Sequence, residues 1–216
     1  MKKFLALLAV AASFLFTSCV EIVQMVYMEN GKMKTGVRLV VNQSLMQMCG
    51  MDENPFDFLD STLVEEMEQK GVDVEMINND SDIGFGLAFD VDADFDDFDT
   101  NGTLKLDDFI PKIKSNGTGG VLEMSMGLMG TFCESAKKES SDSESQMYAK
   151  MMYDSMKYKM YVGKSVCKNI GNAYLVDGKG KKYSSDVYSV GDSYCIESSF
   201  SKFMDNDIKK LVITYY

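Results

Sequence analysis

The stretch that decides the fold is DIGFGLAFDV, residues 82 to 91, in which Ile83, Phe85, Leu87, Phe89 and Val91 alternate with Asp82, Gly84, Gly86, Ala88 and Asp90. A strict period of two over ten residues is the signature of a β-strand with one buried face. The small residues on its other face predict that something packs closely there, and a helix is the expected cover. Working outward, the same alternation recurs before it in Val72-Val74-Met76 and after it in Leu122-Met124-Met126-Leu128. Further strand-like segments follow at Tyr158-Met160-Val162, near Ala173 to Val176, from Val187 to Ile196 and from Leu211 to Tyr216.

Nearer the N-terminus, Val23-Met25-Tyr27 and Met33-Thr35-Val37-Leu39-Val41 alternate around Asn30-Gly31. Asn-Gly between two alternating runs is the strongest short-range hairpin signal, because a two-residue turn of the right twist needs positive φ at both positions. Residues 54 to 71 read as a helix, with Asn54 as N-cap, Pro55 in the first turn, an apolar stripe of Phe56, Leu59, Leu63 and Met67, and Gly71 just past the end. A second helix is expected from about Ser143 to Met156, where Met147, Met151 and Met152 recur at helical spacing. The sum is an α+β domain, a largely antiparallel sheet with two main helices.

The first 19 residues, MKKFLALLAVAASFLFTSC, place a basic pair before an apolar run from Phe4 to Phe16 and small polar residues before a cysteine. That is the layout of an export signal, too short to span a bilayer, which needs about 20 apolar residues. Phe16-Thr17-Ser18-Cys19 resembles the lipobox of bacterial lipoproteins. The resemblance implies a signal peptide over 1–18 and a single domain over 19–216, carrying diacylglycerol and an N-acyl chain such as palmitate on Cys19. Val20 at the next position, in place of Asp, implies outer-membrane sorting in the bacterial cell envelope. Two or more acyl chains hold a protein stably where one does not. The first strand begins almost at the lipid, so the domain is expected close to the membrane, without a tether.

Loss of Lys2 and Lys3 with the signal takes the net charge from −11 to −13. Such a charge repels phosphate backbones and anionic headgroups, which argues against nucleic acid and leaves membrane attachment to the lipid. There is no histidine and one arginine, Arg38. Ser-His-Asp and Cys-His catalysis lack their imidazole base, and zinc sites of the common kinds lack their ligands. The expected role is therefore non-catalytic binding or scaffolding among envelope proteins, with no catalytic residues assigned. A carboxylate-based glycan hydrolase is the alternative from another class, and it requires two facing carboxylates in a cleft. The eighteen methionines mostly fill apolar positions of the periodic segments, where Met is core filling. Tyrosines around KYKMYVGK and at Tyr215-Tyr216 offer an aromatic contact surface.

DFDTNGTLKLDDF, residues 97 to 109, is similar to an EF-hand or dockerin calcium loop. Asp97, Asp99, Asn101, Gly102, Thr103 and Asp108 fall at loop positions 1, 3, 5, 6, 7 and 12, the oxygen-ligand and turn positions of such a site. Position 9 is Lys105, which cannot ligate, and position 12 is Asp in place of Glu. The strand that runs into the loop replaces the helix of an EF-hand, while Asp107 to Lys114 is expected to start a short helix with Pro111 in its first turn. The competing reading is an acidic, solvated turn. Eight of the nineteen residues from Asp90 to Asp108 are Asp, so the pattern arises easily here, and the same density favours a cation. Calcium is thus the one cofactor this sequence points to. Four cysteines beyond Cys19 allow three disulfide connectivities; Cys167–Cys195, between two strand-like segments, is the first expectation, with Cys49–Cys133 following by elimination, against buried free thiols.

Overall fold

The structure is a computed structural model, and it describes residues 20–44, 54, 56–57, 59–93, 106–115, 117–127, 129–130, 133 and 156–216. The chain runs β1 (Val20–Glu29), β2 (Lys32–Asn42), α1 (Ser61–Gln69), β3 (Asp73–Asn78), β4 (Asp82–Asp90), a 3-10 turn (Leu106–Phe109), β5 (Lys112–Ser115) and β6 (Gly120–Ser125). There follow β7 (Lys157–Gly163), β8 (Ile170–Asp177), β9 (Lys182–Ser184), β10 (Asp186–Val190), β11 (Ser193–Ser199), α2 (Ser201–Asp205) and β12 (Ile208–Tyr215). Twelve strands against two short, fully described helices make the protein mainly β, a correction to the α+β expectation.

The strands form two sheets, one of seven in the order β10-β11-β7-β1-β2-β4-β3 and one of five in the order β5-β6-β12-β8-β9. Among the described residues all pairings are antiparallel except β1 with β7, which is parallel. One row of cross-strand neighbours in the larger sheet reads Ile196, Met160, Gln24, Val37, Leu87, Val74. The side it lies on also carries Ile22, Val26, Leu39, Phe85, Phe89, Tyr158 and Val162, and it shares one hydrophobic cluster with Leu122, Met124, Ala173, Leu175, Leu211 and Ile213 of the smaller sheet. Alternation thus puts the apolar set of each sheet on the side facing the other.

The Asn30-Gly31 hairpin forms as expected. Both residues have positive φ, 51° and 81°, and the ladder closes with Glu29 opposite Lys32. The C-terminal end of α1 is also where Gly71 places it: at φ 83° its N–H bonds the Glu68 carbonyl, and the Val72 N–H bonds Met67, a Schellman closure with both Met67 and Val72 buried. The start is a correction. Asp60, not Asn54, caps the helix, its carboxylate accepting from the Leu63 N–H at 2.8 Å. Asn54 caps a separate turn, accepting from the Phe56 N–H at 2.9 Å, and that turn drops Phe56 and Leu59 into the core. The helix expected over Ser143 to Met156 lies outside the described residues, apart from the buried Met156.

The small residues of β4 have a different cause from the expected helical cover. A Cβ on Gly84 would lie 2.1 Å from the Leu39 carbonyl oxygen, so what presses on Gly84 is the backbone of the neighbouring β2. Over Gly86 sits the Glu75 side chain from β3. The helix expected to begin at Asp107 is only the single 3-10 turn from Leu106 to Phe109, because Pro111 is followed at once by β5.

Candidate functional site

A cleft of about 550 Å³ opens at one end of the five-stranded sheet, lined by Asp108, Ile110, Lys112, Glu123, Met124, Ser125, Lys209 and Lys210. The 3-10 turn delivers Asp108, β5 delivers Lys112, β6 delivers Glu123 and Ser125, and the start of β12 delivers the two adjacent lysines. Lys209 reaches the cleft because the β12–β8 register shifts between Ile208 and Lys210. Such a volume lies within the ordinary range of ligand pockets, about 300–1,000 Å³.

Most charges in the cleft are already answered. Lys210 Nζ bonds Glu123 Oε1 at 2.7 Å across two adjacent strands, Lys209 pairs with Asp207 at 2.6 Å, and Ser125 Oγ donates to Asp108 Oδ1 at 2.8 Å. The Lys210 ammonium holds the Glu123 carboxyl below its ordinary range, with Lys114 and Lys112 adding to it against partial burial. A carboxylate held low is a poor general acid, the group a glycosidase needs raised. Lys112 and Lys114 have no ion-pair partner among the described residues.

Asp108 is the one described member of the five candidate calcium ligands; Asp97, Asp99, Asn101 and Thr103 lie outside the described residues. One of its oxygens is engaged by Ser125, and both lie against Gly127, where a Cβ would come within 2.4 Å. Among the described residues no three thiol or acidic groups converge on one point.

Cys167 and Cys195 are free thiols, so the bridge expected between them is not made. Cys195 lies in β11 opposite Tyr161 and Tyr188, while Cys167 follows the turn after β7 and is completely buried. Burial pushes the Cys167 thiol up to about 11, and burial together with Glu197 raises Cys195 against a hydrogen bond from Tyr161. Neither is a ready nucleophile. Cys133 is buried, whereas Cys49, and with it the second expected pairing, lies outside the described residues. Cys19 lies outside them as well.

The tyrosines divide between core and surface. Tyr158 is fully buried and donates to Gln24 Oε1 inside the larger sheet, whereas Tyr216 is exposed. Three others carry a lysine over the ring: Lys182 over Tyr174 at 4.5 Å, Lys181 over Tyr183 at 4.8 Å and Lys164 over Tyr194 at 5.4 Å. Of the cleft residues only Asp108 was legible as a candidate; Lys210 finds Glu123 across 87 positions of sequence, a separation no local pattern bridges. No described helix is long and apolar enough to cross a membrane. No protein-family model matches the chain, and no curated protein or solved structure matches it.

Proposed function

We propose that this is a lipid-anchored protein of the bacterial cell envelope, held by an acylated Cys19, with a binding or scaffolding role and no chemistry of its own. The observation that carries the reading is the position of β1. Val20, the residue after the lipobox cysteine, already belongs to it, and it pairs with β2 on one side and β7 on the other, well inside the seven-stranded sheet. A lipid on Cys19 is then continuous with an interior strand, and the anchor holds the sheet directly against the bilayer. The absence of histidine, two buried thiols with raised pKa and a Glu123 held in its ionised form all favour binding over catalysis.

The test is fractionation of cells producing the full chain or Cys19→Ala, with mass analysis of the N-terminal peptide. The reading expects wild type in the membrane fraction with a diacylglycerol and acyl mass on Cys19, and the variant released or left unprocessed. A wild-type peptide without lipid, or a variant that partitions into detergent as wild type does, overturns it.

A further inference from the structure

Among the described residues the two open sheets leave four edges, and an edge exposes backbone N–H and C=O groups that recruit foreign strands unless guarded. Three are guarded here. β5 has four residues, follows Pro111 and carries Lys112 and Lys114. β9 has three residues and follows Lys181, beginning with Lys182. β3 carries Asp73 and Glu75, with Asp73 paired to Lys34 at 3.2 Å.

The fourth edge is β10, Asp186-Val187-Tyr188-Ser189-Val190, and its single charge, Asp186, stands at its first residue. All five residues are exposed, with Val187, Tyr188 and Val190 37%, 47% and 50% accessible. It contains no lysine and no proline, and its register with β11 is continuous through all five pairs, so no bulge turns it away. We propose that β10 is an acceptor strand, on whose free edge an extended segment of a partner envelope protein pairs. This rests on the anchored, non-catalytic reading and gives it a surface.

The chemistry of that segment follows from β10. Asp186, Tyr188 and Val190 share one face, Val187 and Ser189 the other. Asp186 stands opposite Glu197, whose ion pair is with Lys157 at 3.2 Å, and Asp186 has no ion pair of its own among the described residues. The complement is an alternating segment with an aromatic or β-branched residue beside Tyr188 and a cation beside Asp186.

A second copy of the chain is the natural rival, and strand direction and edge size argue against it. β7 runs parallel to β1, β11 antiparallel to β7 and β10 antiparallel to β11, so β10 points the same way as β1, away from Cys19. Symmetric pairing of two β10 strands is antiparallel and turns the second copy end for end, with its lipid on the far side. Two copies whose strands stand upright on one membrane cannot adopt it. A stable dimer also buries about 800 Å² on each partner, more than one five-residue edge offers.

The test places a photocrosslinking phenylalanine analogue at Tyr188 or, as control, at Met76 on the guarded β3 edge, in the full chain in cells. The crosslinked partner segment is located by mass spectrometry and made as a synthetic peptide, and amide exchange of the full chain is measured with and without it. Expected is a crosslink at 188 and not at 76, exchange of alternate β10 amides slowed at least tenfold by the peptide, and loss of both in Val187→Lys/Val190→Lys. A product of twice the chain's own mass, equal crosslinking at both positions, or β10 amides unaffected by the peptide each overturn the proposal. The N-terminal peptide mass is read from the same cells. A lipidated chain with no crosslink at 188 overturns the acceptor strand alone, whereas a chain without lipid overturns the anchor.

Discussion

Gly84 and Gly86 lie on one face of one strand, two residues apart, and the structure assigns them opposite responses to the same added methyl group. In Gly84→Ala the new Cβ meets Leu39 O at 2.1 Å, Val40 Cα at 2.8 Å and Leu39 C at 3.0 Å, all backbone. No rotamer relieves this, so β2 and β4 must part by about 1 Å, and overpacking of this kind costs about 1–3 kcal/mol. The strained ladder loses about 1 kcal/mol for each hydrogen bond broken. Removing glycine's backbone freedom returns about 0.5–1 kcal/mol. The net expectation is destabilisation of about 2–3 kcal/mol, or about 4–12 °C in Tm for a chain of this size. In Gly86→Ala the nearest atom is Glu75 Oε2 at 3.3 Å, the end of a flexible side chain that swings aside. The entropy term then dominates, and the variant is neutral to about 1 kcal/mol more stable. Urea and thermal unfolding of the chain from Val20 onward, followed by far-UV circular dichroism and tyrosine fluorescence because the chain has no tryptophan, measure both. Equal shifts for the two variants, or a Gly84→Ala midpoint matching wild type, would refute the close approach of β2.

Tyr158→Phe removes the hydroxyl that donates to Gln24 Oε1 and leaves a buried acceptor behind, at about 1–3 kcal/mol; adding Gln24→Met to it recovers most of that loss in urea unfolding, and an additive double variant argues against the bond. Cys167 and Cys195, buried and raised in pKa, take up iodoacetamide at pH 8 far more slowly in the native chain than in denaturant, where both label without reductant; labelling at the unfolded rate in the native chain contradicts their placement. Glu123 has its folded pKa depressed, so its contribution is present above its unfolded value of about 4.3 and is lost as pH falls through the folded value. The stability gap between wild type and Glu123→Gln therefore closes below about pH 4, and a gap unchanged from pH 6 to pH 3 counts against the Lys210 contact.

What the sequence makes legible is local. Asn30-Gly31 fixes its hairpin because the turn needs only two positive φ values, and Gly71 ends α1 because one left-handed residue closes it. Period-two runs locate most strands, but periodicity names a buried face and not the neighbour across it. Nothing in Ile22 announces Tyr158, its parallel partner, and nothing local divides twelve strands between two sheets. β5 and β9, four and three residues long, are too short to show a period at all. The helix expected from Asn54 failed where two caps competed. Asn54 and Asp60 both accept backbone N–H bonds, and the chain uses the first for a turn that buries Phe56 and Leu59. The cleft was illegible for the same reason as the sheet order, since its charges meet only after β6 and β12 pair.

Net charge, by contrast, is legible at once and misleads at close range. The chain carries −11 overall, yet residues 157 to 216 hold ten lysines against six acids. The fold concentrates this further. On the outward side of the five-stranded sheet stand Lys112, Lys114, Lys182 and Lys210, and of the acids beside them Glu123 is bound to Lys210 and Asp108 to Ser125. Five adjacent strands at about 4.8 Å spacing spread those lysines over about 19 Å. At physiological salt the Debye length is about 8 Å, so a charge touching this face feels the nearby lysines far more than the acids elsewhere in the chain. Repulsion inferred from the sum of charges therefore governs how an anion approaches the molecule from a distance. It does not govern contact at these four lysines.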